Sequence, residues 1–276
     1  MSGLWGDSGM GSPNVALELL GESRNFIMRS KVEYIRATES REVFRSVSRY
    51  TISDGALFMA TNAGLDNRAL LPPFLPVGRN EDGFFAITLH VCTDDALIGH
   101  LPLAIYHAPD EVRRFPTGAF LDPTPSLAEI VTAIMRCFTP SPGQKSTSER
   151  LSAMGRFFTD IGALEKDDFE EQIKTIWLAT ASHRIGFLEN LLDFHHGQPD
   201  YWAKDVFSFI ENLKDFVVHR SPAVPRELSG SQFTEQAKES CRRVVRKFGA
   251  LLQWWPVIYG AARHLREAGI RLARPV

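Results

Sequence analysis

The feature that most constrains this chain is an apolar period of 3.6 residues that begins at Leu127 and runs, with interruptions, almost to the C-terminus. Leu127, Ile130, Val131, Ile134, Met135 and Phe138 recur at helical spacing, with Ser126 ahead of them as N-cap and Glu129 three residues on. A serine hydroxyl can accept from the N–H three residues ahead while the glutamate reaches back, so the spacing predicts a capped helix. The pattern continues through Leu151, Met154, Phe157, Phe158, Ile161 and Leu164, then Phe169, Ile173, Ile176 and Trp177, then Val206, Phe207, Ile210, Leu213 and Phe216 or Val217. Apolar stripes of this kind bury themselves against one another, so residues 126–270 read as a helical bundle. The polar stretches 139–148 and 221–231, which contain proline and serine, are the expected connections.

Ahead of residue 125 the chain changes character. Short apolar runs over 56–62 and 97–107 are bounded by Gly, Pro, Asp and Asn, the pattern of strands and loops around one or two helices. Residues 108–125 hold four prolines and no long apolar face, which places a link there. The expected organisation is a mixed segment over 1–115, α+β or partial α/β, followed by an all-α helical domain over 126–276. The mixed segment is short for a complete open-sheet enzyme domain, because two mononucleotide-type halves need more βα units than it can hold.

Composition narrows the function classes. With 276 residues, 44% hydrophobic and 23% charged, the chain can bury one large core or two modest ones. A net charge of −2 gives no bulk electrostatic case for nucleic acid, which is set aside as a partner. Cys92, Cys137 and Cys241 are scattered and show no CxxC spacing, which argues against a disulfide framework or a structural zinc site. No apolar run approaches the roughly 20 residues of a membrane span. The first 30 residues lack the charged start and apolar core of a signal peptide. The expectation is a soluble, cytoplasmic protein.

The densest chemistry lies in RNEDGFF, residues 79–85, where Glu81 and Asp82 stand between a proline-rich loop and an apolar segment. Most such acidic pairs are merely solvated. Here the run GALFMATNAGLDNRALLPPFLPVGRNEDGFF, followed by DDALIGHLPLAIYH, resembles the acceptor half of a GT-A glycosyltransferase catalytic domain, in the broad family-2 style. In that family a strand with a small or polar acceptor-facing stretch leads through a variable loop to a Glu-Asp pair opening a helix, and a later strand ends in histidine. The corresponding parts here are residues 56–62, the loop 64–78, Glu81 with Asp82, and His107.

The resemblance covers roughly residues 50–110 and implies transfer of a sugar from a nucleotide-sugar donor to a glycan or other hydroxyl acceptor. It makes Asp82 the base, Glu81 a group that orients the acceptor or binds Arg79, and His107 a ligand to a divalent cation, Mn or Mg, bridging the diphosphate. A carboxylate at a helix start is expected to stay ionised in the field of the first N–H groups. Arg79 and Asn80 border the pair, and Asp66, Asn67 and Arg68 form a polar triplet suited to acceptor hydroxyls or phosphate. Each role has a plainer counterpart: a turn for the triplet, and a strand-end hydrogen bond for His107, with His100 competing for the same role. No Asp-x-Asp triplet precedes Ala56. The donor side is therefore expected from a further segment or partner chain, the alternative being a non-catalytic helical interaction module that carries an enzyme remnant.

Three further signals have plainer readings. GDSG at residues 6–9 matches a protease nucleophile loop in letters only, since the strands that would supply His and Asp do not precede it. His195 and His196 ahead of Gly197 read as a solvated helix end rather than a metal pair, because adjacent helical residues point apart. From Cys241 onward Arg242, Arg243, Arg246, Lys247, Arg263, Arg266, Arg271 and Arg274 accompany Trp254, Trp255 and Tyr259. That run reads either as helices packing Val244, Val245, Phe248, Leu251 and Leu252 on the bundle with a solvated basic face, or as peripheral contact with anionic lipid.

Overall fold

The computed structural model describes residues 1–8, 12–55, 58–229 and 234–270, and shows a mixed α+β chain dominated by helix. Gly9, Ala56, Leu57, Arg271 and Arg274, which entered the expectations above, lie outside the described residues.

The front of the chain forms β1 (Gly3–Asp7), α1 (Gly21–Ile27), α2 (Lys31–Glu39), β2 (Glu42–Arg45), β3 (Thr51–Ser53), α3 (Glu81–Cys92), β4 (Ile98–His100) and β5 (Ala104–His107). Strand β1 is central in a three-stranded sheet, antiparallel to β2 and parallel to β5, and β3 pairs antiparallel with β4. The apolar run over 97–107 forms two strands. Pro102 lies between β4 and β5, and a residue with no N–H interrupts a ladder.

Gly6 allows β1 and β5 to close. Its φ is +99°, and a Cβ there would lie 2.3 Å from the His107 carbonyl oxygen. The expected strand over 56–62 ends instead in a 3-10 turn, Ala60–Asn62. That turn is stitched to β1, with the Ser2 N–H donating to the Asn62 carbonyl and the Asn62 amide to the Gly3 carbonyl, at 3.0 and 2.8 Å.

The rest is helical: α4 (Leu127–Arg136), α5 (Thr147–Ala163), α6 (Lys166–Phe194), α7 (Asp200–His219) and α8 (Thr234–Glu267). The capping box at Ser126 and Glu129 is present, and Ser146 with Glu149 repeats it at α5. Helix α6 ends through His196 and Gly197, both at positive φ, with the Gly197 N–H closing on the Leu192 carbonyl at 2.8 Å. Helices α5 and α8 cross closely because Gly155, Gly162 and Gly249 leave no side chain between the backbones.

The cores do not respect the proline-rich link. One cluster joins Phe84, Cys92 and Leu75 from the front segment to Ile130, Ile134, Met154, Phe158, Phe169, Phe248 and Leu252 of the helices. A second joins Leu17, Ile27, Tyr34 and Phe120 to Leu188, Trp202, Val206, Phe209 and Leu213. Trp202 donates its indole N–H to the Leu17 carbonyl at 3.2 Å. A smaller cluster sits between α3 and β4, made of Phe58, Phe85, Ala86 and Ile98.

Candidate functional site

Asp82 lies in the first turn of α3, half-buried. The helix starts at Asn80, whose φ of 70° is left-handed, a conformation that asparagine tolerates better than most residues. The Asp82 carboxylate accepts from the Gly83 N–H at 2.8 Å and also from the backbone of Ala60. Asp82 and the 3-10 turn of the apolar run are thus brought together.

The electrostatics differ from expectation. Burial pushes the Asp82 carboxyl above the ordinary carboxylate value. The Gly83 N–H opposes this, neighbouring Glu81 adds to it, and the N–H groups of Asp82 and Ala60 oppose it again, without restoring the ordinary value. The first-turn N–H groups were expected to dominate, but loss of water around the carboxylate outweighs them. Glu81 is exposed at the same helix start, as are Arg79 and Asn80 just ahead of it.

The loop over 63–79 is pinned at two places. Phe74 stacks on Phe85 of α3, ring centroids 4.4 Å apart and 13° from parallel. From the other side α8 reaches it with three side chains spaced four residues apart. The Trp255 indole donates to the Leu71 carbonyl at 2.6 Å, the Tyr259 hydroxyl to the Ala69 carbonyl at 2.7 Å, and the Arg263 guanidinium to the Arg68 carbonyl at 3.3 Å. Tyr259 also touches the Asn67 side-chain amide. These clamp residues were missed at the sequence level as part of the site. Their i, i+4, i+8 spacing was visible as one helix face, but nothing local said that a loop about 190 positions earlier in the chain would lie on it.

Within the loop, Asp66 and Arg68 are exposed and engage each other. Arg68 Nε and Nη2 donate to the Asp66 carboxylate at 2.9 and 2.5 Å, and the Arg68 N–H joins at 3.1 Å, the side-chain to backbone bond of a turn. The guanidinium holds the Asp66 carboxyl down to about 2.

His107 ends β5, exposed, with Nδ1 2.7 Å from the Asp7 carbonyl oxygen. A carbonyl only accepts, so Nδ1 carries the proton and Nε2 faces outward. The Asp7 carboxylate is buried and held by Arg113 through Nε and Nη2 at 2.9 and 2.8 Å. His107 pairs with Gly6, whereas the Ala60–Asn62 turn beside Asp82 is bonded to Ser2 and Gly3. Three residues of strand, about 10 Å, separate those two ends of β1. His100 belongs to the other strand pair, its Nε2 2.8 Å from the Ser53 hydroxyl.

Among the described residues no group of three or more His, Cys, Asp or Glu side chains converges as a cation would need. The donor set around His107 does not fit a divalent ion, since the neighbouring Asp7 carboxylate is already neutralised by Arg113. Comparison with protein-family models, with curated proteins and with solved structures returns no match.

Proposed function

We propose that the chain carries the acceptor side of a GT-A type glycosyltransferase site, with Asp82 as the general base. The supporting observation is the placement of Asp82 at the start of α3, half-buried, against the backbone of Ala60. A carboxylate whose proton affinity is raised by burial is a stronger base than a solvated one. In the reaction the acceptor oxygen forms a bond to the anomeric carbon of the donor. The bond from that carbon to the nucleoside diphosphate breaks, and the acceptor proton passes to Asp82. The loop over 63–79 leads into α3 and borders the site, with its Asn67 side chain and the carbonyls of Arg68, Ala69 and Leu71 held by α8.

A panel of labelled nucleotide sugars, with and without manganese, tests this. A true donor raises the melting temperature by mass action. Asp82→Asn is expected to lower kcat by about 10²-fold or more, the usual scale of general-base loss, with donor KM little changed. Unaltered turnover in Asp82→Asn removes the base assignment.

A second reading, a non-catalytic interaction module, is favoured by one observation. Phe44, Trp5 and Tyr106 lie in register across the three-stranded sheet, exposed and in ring contact. Absence of a thermal shift with every donor supports that reading.

A further inference from the structure

Helix α8 presents two faces that do different work. Val245, Phe248 and Leu252 are buried against the bundle, and Trp255, Tyr259 and Arg263 hold the loop. On the remaining face Arg243, Lys247, Ala250, Trp254, Val257, Ile258 and Ala261 recur at spacings of three and four, so they form one continuous stripe, and all are exposed. Trp254 and Val257 are 64% and 62% accessible, values that no packing within this chain explains. The stripe is cationic at its N-terminal end, with Arg243 and Lys247 on it and Arg246 beside it, and apolar from Ala250 to Ala261. From Ser240 to Arg266 the sequence contains no Asp or Glu. Arg246, Lys247 and Arg266 enter no hydrogen bond or ion pair among the described residues.

We infer that this stripe docks the chain on the surface of an anionic lipid bilayer. The helix would lie in the interface, with Trp254, Val257 and Ile258 at the headgroup and acyl boundary and the flanking cations on lipid phosphates. Among the described residues no helix is long and apolar enough to cross a membrane, so the contact is one of surface. Charge decides against a second copy of the chain as occupant. Parallel pairing of two stripes sets Lys247 against Lys247, and antiparallel pairing about Val257 brings Lys247 to the turn of Glu267, whose carboxylate faces Arg263 on another side of the helix, so the stripe offers no acid to either pairing. An anionic surface supplies the missing counter-charge to Arg243 and Lys247. The docking stands independently of the sugar-transfer reading. If both hold, the loop clamped on the adjacent face of α8 meets a lipid-carried hydroxyl acceptor.

Co-sedimentation of the full chain with vesicles tests the inference. Binding is expected to phosphatidylcholine vesicles containing about 30% phosphatidylglycerol, and to weaken about tenfold or more between about 0.1 and 0.5 M salt. Trp254→Glu, and separately the pair Arg243→Glu with Lys247→Glu, should each reduce binding about tenfold or more with an unchanged melting curve. No binding to anionic vesicles, equal binding to pure phosphatidylcholine, or undiminished binding by both variants overturns it. So does a dimer in light scattering that Trp254→Glu dissolves while vesicles bind nothing, which would make the stripe an interface between copies. Because no donor is present, failure here leaves the Asp82 assay untouched, and failure of that assay leaves this one intact.

Discussion

Asp82 and Asp66 show how one side-chain type acquires opposite properties from its surroundings. Asp66 sits in water beside a guanidinium and is held down to about 2. Asp82 sits against Phe84 and Phe85 in sequence and is pushed up, chiefly by burial. The sign of the stability effect follows. In the folded chain Asp82 binds its proton more tightly than in the unfolded one, so its contribution is favourable below the ordinary carboxylate pKa and is lost as pH rises through the folded value. Asparagine imitates the protonated acid and escapes that loss. Asp82→Asn should therefore melt higher than the parent near pH 7, with the gain shrinking as pH falls to about 3, below the ordinary value. Carboxyl-resolved NMR titration supplies the companion measurement, in which Asp66 and Asp82 should move apart on either side of the ordinary value. A coincident pair of titration curves would remove the electrostatic part of the case for Asp82.

At the scale of elements, the chain relies on helices whose ends are specified locally and whose contacts are specified by absence of side chains. The capping box at Ser126 and Glu129 was legible as Ser-x-x-Glu spacing, because a cap is a bond between residues three apart, and the structure adds a second from Ser146, inside the stretch read as a connection, to Glu149. The crossing of α5 and α8 was not, although Gly155, Gly162 and Gly249 stand in plain view in the sequence. A glycine inside a helical pattern normally weakens it, and only the opposing backbone gives it a purpose. Gly249→Ala would place a Cβ 2.6 Å from the Thr159 nitrogen and 2.8 Å from the Gly155 carbonyl oxygen, atoms that cannot step aside. It should destabilise the chain by about 1–3 kcal/mol in a urea titration. Gly186→Ala on α6, where an added Cβ meets nothing within 4 Å, should instead stabilise by up to about 1 kcal/mol through helix propensity. Equal effects at the two glycines would show that the helix crossing is looser than described.

For the whole molecule, the segment ahead of residue 115 and the helices after 126 share two hydrophobic clusters, so they are expected to unfold together. Phe84 illustrates the coupling. It begins in α3, is wholly buried, and its ring meets Phe248 of α8 edge to face at 4.9 Å. Phe84→Ala should cost about 3–5 kcal/mol and shift near-ultraviolet and far-ultraviolet dichroism melts by the same amount. Two separated transitions would mean that the clusters melt independently. The proline-rich stretch that marks the change of composition is a change of local structure, and composition carries no information about which side chains meet across it.

What the sequence determined by itself is held by contacts three or four residues apart: the helical pattern after 126 and the cap at Ser126. Those depend on backbone hydrogen bonds and on which residues share a face, both of which spacing encodes. What only the tertiary structure decided is the use of each face. It committed Trp255, Tyr259 and Arg263 to a loop while leaving Trp254 and Val257 in water, spent Asp7 on Arg113, and made Asp82 a carboxylate of raised proton affinity. Desolvation and partner choice depend on every atom brought near, and the chain brings those atoms from positions up to about two hundred residues apart.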